Sequence, residues 1–198
     1  FHELDRNGMT SGEMPSVTPL DEDSPPQPVS NDNIPEMDFY ESGMVPQSTE
    51  IMPVMGARIN SIRIFNSDGK EVNNLLAGRE YSIQIRGVFL GDHEAVRFGL
   101  HIRTKTGLTV TGLSHPKPRT FFPDVKKGQK YKLTFKIKMH LAPDTYFVGT
   151  GVWSSKEPVR LHQVLDFVMF RVLPKAENRA FGYVDLASDE PELDIVQD

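Results

Sequence analysis

KYKLTFKIKMHLAPDTYFVGTGVW, residues 130–153, reads as two strands and the corner between them. The first half alternates without a break. Tyr131, Leu133, Phe135, Ile137 and Met139 fall on one side, and Lys132, Thr134, Lys136 and Lys138 on the other. A period of two with a single apolar side marks a half-buried β-strand. Pro143 turns the chain, because proline fixes φ and cannot donate to a ladder. In the second half, Tyr146, Val148, Thr150 and Val152 share one face, while Phe147, Gly149, Gly151 and Trp153 share the other. Glycine has no side chain to pack in a strand interior. Two glycines between a Phe and the only Trp of the chain imply a face that is either badly covered or approached closely by something.

The same alternation recurs on both sides of this stretch. RINSIRIF (58–65) precedes NSDGK, whose Asp-Gly is a turn signal. EYSIQIRGVFL (80–90), AVRFGLHIRT (95–104) and LTVTGL (108–113) follow, and LDFVMFRVL (165–173) and FGYVDL (181–186) come after it. VNNLLAG (72–78) and RLHQVL (160–165) are the only segments able to form a short turn of helix. The expected fold is all-β: an antiparallel, immunoglobulin-like sandwich of about eight strands.

Charge divides the chain of 198 residues into three parts. Residues 1–53 hold eleven Asp/Glu against one Arg, and eight of the fifteen prolines. They read as an acidic linker that buries too little apolar surface to offset its ordering entropy, although DFYESGMV (38–45) is able to dock on the body. Residues 54–188 hold 21 Lys/Arg against 11 Asp/Glu and form the sandwich. Residues 189–198 are an acidic tail with five acids and no base. The near-neutral total therefore hides a basic body. PKAENRA (174–180) detaches the segment 181–187, a candidate for exchange with a second copy.

With no cysteine, disulfides, thiolate metal sites and a Cys nucleophile are excluded. No apolar run reaches the roughly 18 residues of a membrane span. No phosphate-binding loop, nucleophile elbow or zinc-protease motif occurs. The six histidines have no metal-ligand spacing and read as surface or turn residues. No carboxylate pair is visibly poised for acid–base chemistry; Asp92, Glu94, Asp144, Glu157 and Asp166 are the residues that folding would have to assemble. The lysines at 132, 136 and 138 read as a solvated face rather than a nucleic-acid site, since the interleaved aromatics point inward. No metal or cofactor is implied.

The segments GARINSIRIFNSDGKEV, LAGREYSIQIRG, VRFGLHIRTKTGLTVTGL, KKGQKYKLTFKIKMHLAPDTYFVGTGVW and LDFVMFRVL…GYVDL occur in an order that resembles the C-terminal carbohydrate-binding domain of Wzt. Wzt is the ATP-binding subunit of ABC transporters that export O-antigen polysaccharide. The resemblance covers roughly 55–187. It departs at Thr111–His115, where many relatives carry Asn-Thr, and at Asp144, where many carry Gly. It implies a non-catalytic domain that binds the finished glycan, at its modified non-reducing end, and recruits it for export. It also implies a homodimer, exchange of the last strand, and an ATPase domain N-terminal to this fragment. The location implied is cytoplasmic, at the inner membrane through the transporter's membrane subunit, with no nucleic-acid partner.

In an immunoglobulin-like order, 95–104, 144–153 and 165–173 share a sheet. If Tyr146 and Val148 face the core, Phe147, Gly149, Gly151 and Trp153 face outward. Gly99, His101 and Arg103 flank them on one side, with Phe167 and Met169 on the other. These nine residues are the candidate carbohydrate-binding set: a glycine shelf rimmed by rings and donors. Arg97, Arg103, Lys117 and Arg119 would suit an anionic terminal group such as a phosphate, and a polymannose is the glycan expected. Two other readings stay open: a protein-interaction or dimerisation surface using the same face, and a glycan-modifying enzyme.

Overall fold

The computed structural model describes residues 37–117, 120, 122–156, 159–174, 182–187 and 193–194. Nine strands occur among them: β1 (Glu50–Ile51), β2 (Ala57–Phe65), β3 (Asn74–Leu76), β4 (Glu80–Phe89), β5 (Val96–Thr104), β6 (Thr109–His115), β7 (Lys130–Lys138), β8 (Asp144–Ser154) and β9 (Val159–Leu173). They form two packed sheets. One runs β1-β9-β8-β5-β6, with β3 also on β9, and the other runs β2-β4-β7. Every pairing is antiparallel except β3 with the end of β9.

The alternation in the sequence becomes the two faces of each sheet. Ile83 and Ile85 of β4, Leu100 and Ile102 of β5, and Tyr146, Val148 and Val152 of β8 all enter one core. Burial of this kind contributes roughly 1.5–3 kcal/mol per large apolar side chain. Tyr146 stacks on Phe170 at 5.6 Å between centroids, and Tyr131 tilts against Phe89 and Phe98. Tyr146 is fully buried, so β8 is turned as its sequence predicts.

Several expectations require correction. VNNLLAG is not helical: its Asn74–Leu76 is β3, held parallel to Asn74's partner Arg171 and its neighbours. RLHQVL is the first half of β9, a strand of fifteen residues. Within it His162 is no surface residue. It is 2 % exposed, and its Nδ1 accepts the Ile59 N–H at 3.1 Å, joining β9 to β2. Of the predicted last strand, Phe181 lies outside the described residues. Val184 makes one bridge to Leu141 of the same chain, flanked by hydrogen bonds Ala142 N–H to Tyr183 O and Asp185 N–H to His140 O.

Residues 37–53, grouped by composition with the linker, run along the sandwich as a strap. The Phe39 carbonyl accepts from the Asn73 and Asn74 amides. Tyr81 donates its hydroxyl to Asp38, and the Thr49 hydroxyl donates to the Asp166 carbonyl at 2.7 Å. DFYESGMV therefore does dock, with Met44 buried.

Candidate functional site

Strand register sets the outward residues of β5, β8 and β9 in rows. The first row is Arg97, Trp153, Arg160 and the second is Gly99, Gly151, Gln163, with Ser114 of β6 beyond Gly99. His101 and Gly149 form the third, and Arg103, Phe147 and Met169 the fourth. Eight of the nine nominated residues thus share one surface.

Phe167 does not join them; it packs against the core cluster. The cause is a register shift. Between their pairs Val148–Val168 and Thr150–Val164, β8 has one residue, Gly149, while β9 has three. Asp166 sits in this bulge with φ 48, a conformation Asp tolerates better than most residues.

The glycine shelf is not bare. A Cβ on Gly151 would stand 2.3 Å from Trp153 Cη2, and one on Gly99 would stand 3.1 Å from Cζ3. The indole therefore lies across both glycines. A Cβ on Gly149 would stand 2.2 Å from His101 Nε2, so the imidazole covers that position. Glycine at these sites makes room for the protein's own rings, and it is the rings that face outward. The Arg97 guanidinium lies 5.9 Å from the Trp153 ring centroid, within cation–π range.

The charges differ in availability. Arg103 Nη1 meets Asp166 Oδ1 at 3.4 Å, and its Nε donates to the Gly107 carbonyl at 3.1 Å. It is thus committed inside the protein. Arg97 and Arg160 are exposed on either side of Trp153, and Arg160 Nη1 donates to Gln163 Oε1 at 3.3 Å. His101 is half-buried, and burial, aided by Arg103, holds its pKa below the ordinary 6.5 against the opposing pull of Asp166. It is neutral at pH 7, and its Nε2 has no partner among the described residues. Lys117 is exposed near the end of β6, and Arg119 lies outside the described residues.

Arg160, Gln163 and Asp166 were not among the nominated residues. Asp166 carried a signal: an acid interrupting the apolar run VLDFVMF. Arg160 and Gln163 carried none, because their opposite parity reaches one face only through the register shift beside Trp153. The carboxylates considered for catalysis are each held by a cation: Asp92 by Lys126, Glu94 by Lys156, Asp144 by Lys105, and Asp166 by Arg103. Glu157 lies outside the described residues.

Residues 55–186 match the family described as the Wzt C-terminal domain. The crystal structure of the C-terminal domain of Wzt superposes with a TM-score of 0.66 at 19% identity, covering 76% of this chain and 92% of that one. A Niemann-Pick type C2 protein from the Japanese carpenter ant superposes with a TM-score of 0.42 at 15% identity, covering 64% and 98%. No curated protein sequence matches the chain. The match to the first of these extends over most of the sandwich, and the two-sheet architecture agrees with it: the chain belongs to the Wzt C-terminal domain family.

Proposed function

We propose that this domain binds the finished O-antigen polysaccharide, at its modified non-reducing end, and recruits it for export by an ABC transporter. Family membership supports a carbohydrate-binding role in O-antigen export. The observation that carries the reading to a surface is the row Arg97–Trp153–Arg160, with the indole spread over Gly151 and Gly99. A pyranose C–H face stacks on such a ring, and its hydroxyls accept from Arg160, Gln163 and Ser114 beside it. The nominated residues Gly99, His101, Arg103, Phe147, Gly149, Gly151, Trp153 and Met169 act here in two ways. Trp153, Phe147 and Met169 supply contact, and the glycines, His101 and Arg103 hold the floor.

The domain is non-catalytic in this reading, and the ATPase of the parent protein lies N-terminal to it. It works as a homodimer at the cytoplasmic side of the inner membrane, beside the transporter's membrane subunit. A shallow surface with water-competing contacts gives weak to moderate affinity.

Titration of whole O-polysaccharide, with and without its terminal modification, tests this. Binding that needs the terminus, is lost in Trp153→Ala and leaves the glycan unchanged is the expected result. Loss of self-association in Trp153→Ala, without any glycan binding by the intact chain, assigns the face to protein contact instead. A new glycan product assigns it to an enzyme.

A further inference from the structure

The sheet on the other side of the core carries a different surface. Its outward positions are read from the register of β2, β4 and β7. Val88 lies between Arg58 and Lys130, and Arg86 lies between Ser61 and Lys132. Further along, Ser82 lies beside Lys136 and Glu80 beside Lys138. Arg58, Arg86 and the four lysines are all exposed. Among the described residues, none of these six has a carboxylate within 4.0 Å. Arg63, on the same face, is paired with Glu71 at 3.4 Å.

Lysine on an edge strand prevents sheet-to-sheet pairing, and β7 is an edge strand. That accounts for one row. It does not account for Arg86 on the central strand, nor for Arg58 across the sheet from Lys130. The cations form a two-dimensional array: Lys130 and Lys132, and Lys136 and Lys138, are about 7 Å apart along β7 with Thr134 between the two pairs, Arg86 is about 5 Å from Lys132 on the next strand, and Arg58 is about 10 Å from Lys130 across Val88. A nucleic-acid strand or an acidic peptide is a line and would engage one row. Recognition of single-stranded nucleic acid also calls for aromatic rings among the cations; the register puts Phe65 on this face beside Ser82, but it is half-buried on the far strand, and no ring interrupts the Lys130–Lys138 row. A plane of cations with apolar Val88 set among them, and with Leu90 38% exposed just beyond β4, fits a planar anionic surface.

We propose that the outer face of β2-β4-β7 docks on an anionic lipid bilayer. The contact is electrostatic, with the lysine stems lying along the headgroups. It leaves the Trp153 face, on the opposite sheet, pointing away from the membrane. It requires nothing of the glycan reading, because no residue is shared between the two faces.

The test is sedimentation of the intact chain with phosphatidylcholine vesicles, with and without ~30% phosphatidylglycerol, at ~50 mM salt. The expected result is binding to the anionic vesicles only, weakened at least ~10-fold in the variant Arg86→Gln, Lys132→Gln, Lys136→Gln, Lys138→Gln. Lys126→Gln, which removes a cation off this face, should bind as the intact chain does. All four positions are exposed, and an unchanged melting temperature verifies the fold. If the fourfold variant melts early, Lys132→Glu with Lys136→Glu replaces it, with the same loss expected. Absence of binding to anionic vesicles overturns the proposal, as does equal binding by a folded variant. Tighter binding of oligonucleotide or polyglutamate than of vesicles also overturns it, giving the face to a linear polyanion.

Discussion

The indole of Trp153 lies across Gly151, with Cη2 only 2.3 Å from where a Cβ would stand. The only tryptophan and its glycine neighbour two residues earlier therefore form one unit. Any side chain at 151 must displace the ring. Gly151→Val should shift Trp153 fluorescence and cut glycan affinity about as much as Trp153→Ala, on the order of 10-fold or more, the loss of one central stacking residue. Fluorescence and titration of the two variants check this. Gly112→Ala serves as the control, because its nearest neighbour atom would be 3.7 Å away.

Asp166 combines a charge partner with a backbone conformation, and the two are separable. Its carboxylate meets Arg103 at 3.4 Å while its φ is 48. Asp166→Asn keeps a residue that tolerates this φ and removes only the charge. Its cost should be about 1 kcal/mol, since Arg103 is partly solvated and retains the Gly107 carbonyl. Asp166→Val also places a branched side chain at positive φ and should cost about 2–3 kcal/mol. Denaturant unfolding of the two variants measures the difference.

His162 gives the fold a pH dependence. Burial, and secondarily Arg58, depress its pKa below the ordinary 6.5, and its Nδ1 must stay unprotonated to accept from Ile59. The unfolded chain therefore binds the proton more readily than the folded one. Stability is complete above pH 6.5 and falls as pH drops through the interval down to the depressed folded value. His101 shifts in the same direction and adds to the slope. His162→Gln retains an acceptor for Ile59 and should flatten the dependence, as seen in melting temperatures between pH 5 and 8.

The strap 37–53 is latched at Tyr81. Its hydroxyl donates to Asp38, and accepts from the Leu76 amide at 2.8 Å. Tyr81→Phe removes both and should cost about 1–2 kcal/mol. Residues 42–49 should then become faster targets for limited proteolysis, while the Arg97–Trp153–Arg160 row remains intact.

These residues also mark how far the sequence could be read. The strands with strict alternation, β4, β5 and β7, are legible because one buried face per strand fixes the register. β3 is three residues long, all buried, and no period can be read from so short an apolar run. In β9 the bulge at Asp166 breaks the alternation, so its first half resembled helix and Phe167 was assigned to the wrong side. The β5 and β8 members of the rows around Trp153 follow from strand parity and were accessible, but Arg160 and Gln163 of β9 have opposite parity and share the face only through the register shift beside Trp153. That Trp153 and His101 fold down over their glycines follows from side-chain torsions, which a pattern of residue types does not encode. The strap was obscured by composition: its acids and prolines resemble a tether, but Asp38 meets the Tyr81 hydroxyl, the Leu76 amide and Arg79, and Thr49 meets the Asp166 carbonyl.

The account rests on glycan meeting the Trp153 ring. Titrating the intact domain with its whole O-polysaccharide, while following the emission of this single tryptophan, tests that contact directly. The account predicts a saturable shift in emission that coincides with calorimetric binding, with binding lost in Trp153→Ala. Calorimetric binding that leaves the emission unchanged, or that persists undiminished in Trp153→Ala, contradicts it.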